Sequence, residues 1–357
     1  MANASNDPVP PDEIGLDTDF SDLGDESPVE PGQERRHVPV LPEEVLQALD
    51  PQPGQILVDL TLGGGGHARL LAEKVGPLGK IYAFDCDPNQ VERARERLRG
   101  LPVECFHARY DQAGEILRRL GVKAHGILAD LGICSEQLDD PARGLAFRHE
   151  GPLDMRLDPS RGEPAWKLLN RLSEGDLISA LFRLGEEKQA KRIVRKIAQE
   201  RRKAMEDGGE GPRWTTSLFA DLVRSCLPPR GVTGRTDPAT RSFQAMRILV
   251  NDELAVLEDM LRQLPGWLVP GGAAAVISFH SLEDRLTKRT FAEAGIWERI
   301  SRKPILAGEV EVAGNPRARS AKLRVARTLG GPPRPKTGRD RGWVEKGQTE
   351  KEHKEIS

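Results

Sequence analysis

The stretch Asp59-Leu60-Thr61-Leu62-Gly63-Gly64-Gly65-Gly66-His67 joins a short apolar run to a helical one, and Asp85 follows nineteen residues after its last glycine. Glycines at such a turn permit positive φ and let backbone come close to a ligand. Each costs roughly 0.5–1 kcal/mol relative to alanine in regular structure, and a plain turn needs only one or two. The excess points to a bound group. A carboxylate at the tip of the next strand suits a pair of ribose hydroxyls, so the two features together read as a site for an adenosine-containing cofactor. No Lys-Ser or Lys-Thr follows the glycines, which excludes a triphosphate-cradling P-loop.

A dinucleotide and S-adenosylmethionine both satisfy this pattern. A strict G-x-G-x-x-G would need glycine at 68, where Ala68 stands. Asp59, ending the first strand, suits a methionine-type ammonium or a capping role better than a pyrophosphate. Leu268-Val269-Pro270-Gly271-Gly272 ahead of a strand is common in methyltransferases of this fold. S-adenosylmethionine is therefore the expected cofactor, and an NAD(P)-dependent oxidoreductase is the alternative.

These residues need a scaffold that presents strand tips side by side. Apolar runs at 56–60, 80–84, 126–130 and 273–279 suit buried parallel strands. Helical stretches at 42–49, 68–75 and 88–98 alternate with them. The pattern predicts a doubly wound, Rossmann-like α/β sheet. From about 138 to 236 the alternation stops and helices dominate, over 165–172, 175–184, 186–202 and 217–226; Ser173 with Asp176 resembles a capping box for the second. We read this stretch as a helical insert that recognises substrate. The sheet domain occupies 37–137 and resumes at 237–330, beginning with one long helix over about 238–264.

Hydrophobic residues make up 38% and charged residues 30% of the 357, an ordinary globular balance. No apolar run approaches the roughly 20 residues that span a bilayer, and no signal-like segment opens the chain, so a cytoplasmic protein without membrane contact is expected. Cysteines at 86, 105, 134 and 226 form no Cys-x-x-Cys pair, so neither a disulfide framework nor a metal site is expected. Residues 1–34 carry ten acids and no Lys or Arg, which leaves +8 on the remainder of a chain whose net charge is −2. The acidic segment 1–36 and the tail 331–357 read as disordered. The basic body fits an anionic partner. Arg317, Arg319, Lys322, Arg324 and Arg327 follow one another without an intervening acid, and the helix at 186–202 adds a cationic face; both are candidate phosphate contacts.

Several longer motifs make the resemblance specific. His37-Val38-Pro39-Val40-Leu41, the glycine run with His67, Asp130-Leu131-Gly132-Ile133-Cys134-Ser135, Gln137-Leu138-Asp139-Asp140 and Gly151-Pro152-Leu153-Asp154-Met155-Arg156 resemble the MraW (RsmH) family. So do Pro238-Ala239-Thr240-Arg241 through Asn251, Ser278-Phe279-His280-Ser281-Leu282-Glu283-Asp284-Arg285, and Asn315-Pro316-Arg317-Ala318-Arg319-Ser320. The resemblance covers about 37–328. It implies a class I methyltransferase acting on N4 of one cytidine in the decoding region of 16S ribosomal RNA, with naked RNA or the small subunit as partner. Carried over, it implies that Gly65, Gly66, His67, Asp85, Tyr110, Asp130 and Gln137 contact the cofactor. The chain departs from the family with Cys134 in place of a usual serine and Glu136 in place of a common proline. An inactive ribosome-binding relative is a third reading.

Cytosine N4 is a poor nucleophile because its lone pair is delocalised into the ring. A hydrogen-bond acceptor beside the amino group would help it pyramidalise, and Asp130 is the candidate catalytic residue. The Asp-Pro-Pro-Tyr type of signature is absent, since Leu131 and Gly132 follow Asp130. His280 is expected to orient the turn at 278–285.

Overall fold

The computed structural model describes residues 38–209, 211–226 and 237–330. The segments 1–36 and 331–357 expected to be disordered, and His37, lie outside these residues. Seven strands form one sheet: β1 (Ile56–Asp59), β2 (Lys80–Asp85), β3 (Val103–His107), β4 (Ala124–Asp130), β5 (Leu268–Ser278), β6 (Trp297–Arg299) and β7 (Lys322–Thr328). Their order is β3-β2-β1-β4-β5-β7-β6. The first five run parallel; β7 lies antiparallel between β5 and β6. The central strands are buried on both faces, which is why they read as unbroken apolar runs. The order reverses between β1 and β4, and the crevice outside the carboxyl ends at such a switch point is where this architecture takes ligands.

Three strands escape the sequence reading. β3 is an edge strand without a fully buried residue, and β6 is three residues long. β7 coincides with the acid-free basic run, and this corrects the expectation that the whole run faces phosphate. The Arg324 guanidinium is buried and paired with Asp284, with Nε 2.6 Å from Oδ1. Arg317 donates to the Ile133 carbonyl and to Ser135 Oγ. Both cations are committed to the fold.

The single long helix expected over 238–264 is two helices, Thr240–Asn251 and Glu253–Trp267, broken at Asp252 with φ 53°. The left-handed region costs an L-residue roughly 1–2 kcal/mol, and aspartate is among those that visit it most readily. The helix expected at 186–202 runs instead from Ala190 to Glu206. Glu186, at φ 50°, ends helix Glu174–Gly185, and Glu187 Oε1 then accepts the Gln189 N–H at 2.7 Å, so the chain turns before the next helix starts. Ser173 Oγ does cap helix Glu174–Gly185, accepting the Asp176 N–H at 3.1 Å.

Two of the apolar clusters lie on either side of the sheet. A third joins Leu138 through Leu249 and unites the insert helices with helix Thr240–Asn251. Phe219 is fully enclosed there, edge-on to Trp214 and tilted against Phe243.

Candidate cofactor-binding site

β1 ends at Asp59 and the chain turns through the glycines into helix Gly66–Val75. Gly63 and Gly65 have φ of 48° and 83°, the region a Cβ disfavours, so the turn depends on glycine at both. The turn is tied to the next strand by Asp85. One carboxylate oxygen of Asp85 accepts the Gly63 N–H at 2.7 Å, and the other accepts the Asp87 N–H at 2.9 Å. Burial pushes the Asp85 carboxyl up to about 6, although both N–H groups pull it down.

Asp59 is fully buried and likewise pushed up to about 6 by burial, partly offset by His67. One of its oxygens accepts the Thr61 N–H at 3.1 Å; the other has no hydrogen-bond partner. His67, on the first turn of the helix, is buried with Nε2 unpartnered and 3.7 Å from Asp130 Oδ2. Asp130 ends β4; its N–H donates to Thr61 Oγ1 at 2.7 Å and its Oδ1 accepts the Gly132 N–H at 3.1 Å. Buried polar atoms normally find partners, so the orphans beside the turn fit a ligand carrying both donors and acceptors. A zwitterionic amino-acid moiety joined to a nucleoside is such a ligand.

Gly65, Gly66, His67, Asp85, Tyr110 and Asp130 thus come together along the carboxyl edge of four neighbouring strands. Tyr110 follows β3 on a short 3-10 turn, half-buried, and its hydroxyl lies 3.5 Å from the Glu253 carbonyl. Gln137 sits slightly apart. Its Nε2 donates to Asp87 Oδ2 at 2.9 Å and its Oε1 accepts the Cys134 N–H at 3.3 Å, so its amide braces the β2 tip against helix Ser135–Asp139. Cys134, in the position of a serine, is the N-cap residue of that helix, and its carbonyl accepts the Gln137 N–H at 3.2 Å. Glu136, in the position of a proline, pairs with Arg97 at 3.2 Å.

Sequence reasoning missed two buried networks. Asp87 accepts the Asn89 N–H and pairs with Arg143 at 3.0 Å, linking the β2 tip to the insert. The Asp87-Pro88 helix start was the available signal; Arg143 had none. The second network joins Arg247 to Glu253, with paired contacts of 2.8 and 2.9 Å, and places His280 and Glu283 beside them. His280 caps helix Ser281–Phe291, the orienting role expected of it. Burial would raise the Glu283 carboxyl, but His280 and Arg247 hold it below its ordinary range.

A family model described as the MraW methylase family matches residues 34–329. The chain belongs to the MraW methylase family. The chain is accordingly an S-adenosylmethionine-dependent methyltransferase, and the oxidoreductase alternative falls. Three curated relatives are called ribosomal RNA small subunit methyltransferase H. The one from Sorangium cellulosum is 48% identical over 83% of this chain and 92% of its own length. Those from Synechococcus sp. (strain WH7803) and Deinococcus radiodurans are each 45% identical, over 82% and 83% of this chain and 94% and 91% of theirs. Among the described residues, no helix of this family member is long and apolar enough to cross a membrane.

Proposed function

We propose that the protein methylates N4 of one cytidine in the decoding region of small-subunit (16S) ribosomal RNA, acting in the cytoplasm on the RNA or the small subunit. The names of its relatives support the RNA class. The observation that carries the chemistry is Asp130: a carboxylate at the β4 tip, one strand from the glycine turn, with Oδ2 facing His67.

Bound S-adenosylmethionine supplies an electrophilic methyl group on sulfur. Asp85 would hold the ribose hydroxyls, the Gly65–His67 turn would take the methionine portion and Tyr110 would flank the adenine, while Gln137 braces the loop through Asp87. Asp130 would accept a hydrogen bond from the cytosine amino group, favour a pyramidal nitrogen and take the proton that nitrogen loses on methylation, the electrons of the broken S–C bond staying on the departing neutral thioether. Alignment of this kind supplies roughly 7–11 kcal/mol when the reacting atoms reach near-attack distance. The insert over 138–236 grips the RNA, whose target base must leave its stack to reach the crevice.

Labelled S-adenosylmethionine and small ribosomal subunits, followed by digestion to nucleosides and mapping, test the reading. N4-methylcytidine at a single decoding-region position is expected; label on another base, or none, defeats it. Asp130→Asn should bind cofactor within about twofold of wild type and lose at least about a hundredfold in kcat, as removal of a group acting in the transition state does. Loss of cofactor binding alone would refute the catalytic role.

A further inference from the structure

A base drawn from its stack needs a flat apolar surface to lie on, and aromatic side chains supply it in sites that read single bases. The loop after β4 offers no aromatic residue, since Leu131 and Gly132 follow Asp130. The neighbouring strand does. β4 and β5 pair in register through Asp130 and Ile277, so Phe279 lies just past the same sheet edge. Phe84, within the sheet, is fully enclosed, whereas Phe279 is only half-buried.

The Phe279 ring lies against Gly132. A Cβ at position 132 would stand 2.8 Å from ring carbon Cε2 and 3.1 Å from Asp130 Oδ1. Glycine at 132 therefore lets the ring edge pack directly against the backbone, close to the candidate acceptor carboxylate. The ring is also anchored. The Phe279 N–H donates to Glu283 Oε2 at 2.8 Å, and the same oxygen accepts the His280 N–H at 3.3 Å. The buried Glu283 side chain thus fixes the backbone from which the ring extends.

We propose that Phe279 is the stacking wall for the target base, standing in from β5 for the aromatic residue missing after β4, and that Gly132 is what lets the ring sit this close to Asp130. The identity of the base rests on the cytosine reading above; the wall does not. Phe279→Leu keeps an apolar group of similar bulk without a π face, and Phe279→Tyr keeps the face.

The test measures methyl transfer to small subunits, the position of the label, the cofactor Kd and the melting temperature for wild type, both variants and Gly132→Ala. Phe279→Leu should retain the cofactor Kd within about twofold and lose about ten- to a hundredfold in kcat/KM, the scale of one base–aromatic stack. Phe279→Tyr should recover to within about threefold of wild type, and Gly132→Ala should lose activity with cofactor binding kept. The wall is overturned if Phe279→Leu matches wild type, if Phe279→Tyr is as impaired as Phe279→Leu, or if cofactor affinity falls in step with activity. Label on a base other than cytosine sinks the substrate reading alone, because the contrast between leucine and tyrosine still reports on the wall.

Discussion

The glycine turn and the helical insert use glycine for opposite ends. At 63 and 65 glycine supplies a backbone conformation, and the turn it makes lies beside an unpartnered Asp59 oxygen and an unpartnered His67 nitrogen. At 185 it supplies proximity, because a Cβ there would collide with the Arg241 carbonyl of the facing helix. The first region accepts poor internal satisfaction in exchange for affinity toward something external. The second is filled by its own apolar packing. Stability is therefore expected to reside in the insert, and ligand affinity at the strand tips.

The strongest attempt to break this division is Phe219→Ala. It removes a fully buried ring from the insert cluster and should cost about 3–5 kcal/mol in denaturant unfolding. Cofactor affinity of the folded protein should stay near wild type; a parallel collapse in affinity would show that the two regions are not separable. Asp85→Asn is the converse. Hydrogen bonds to a charged group contribute about 1.5–3 kcal/mol each, so losing the charge proposed to face the ribose should weaken S-adenosylmethionine binding about a hundredfold by calorimetry. A change under about fivefold would mean the ribose is held elsewhere.

The smallest effect expected of a single carboxylate concerns pH. Asp59 and Asp85 are both pushed up to about 6 in the free protein. Above that pH both are ionised, as the proposed roles of accepting ribose hydroxyls and pairing with an ammonium require. Binding favours the ionised forms, lowers both values and releases protons. Affinity should therefore fall as pH drops through about 6, by at most about tenfold per unit for each group. A Kd that stays flat from pH 7.5 to 5 would remove both carboxylates from the binding site.

The sequence makes the turn legible because its signal is local: a run of glycines between an apolar stretch and a helix, with an acid at the next strand tip. The sheet's parallel core is legible for the same reason. β7 is not. Its residues alternate, with Leu323 and Val325 set against Lys322 and Arg324, and that period of two was the available clue. The charges masked it, because Arg324 is neutralised by Asp284, forty residues earlier in the chain. The break at Asp252 is hidden likewise. Apolar periodicity continues across it, and only the Arg247–Glu253 pair, formed in three dimensions, shows why the chain turns there. Of the candidate site, the strand-tip residues were readable one by one. The buried networks behind them were not, since each draws its members from distant segments.

The corner at Asp252 has a mechanical consequence. The helix before it is packed into the insert cluster and the helix after it into the sheet, and the ion pair spans the bend like a gusset in an almost dry setting. Swinging one helix against the other would strand two charges away from water, which costs far more than thermal energy. The Glu253 carbonyl within reach of Tyr110 brings the same corner to the strand tips. The molecule is thus built as a caliper whose jaw angle is set when the chain folds, and the distance between the insert and the strand tips is fixed at that point.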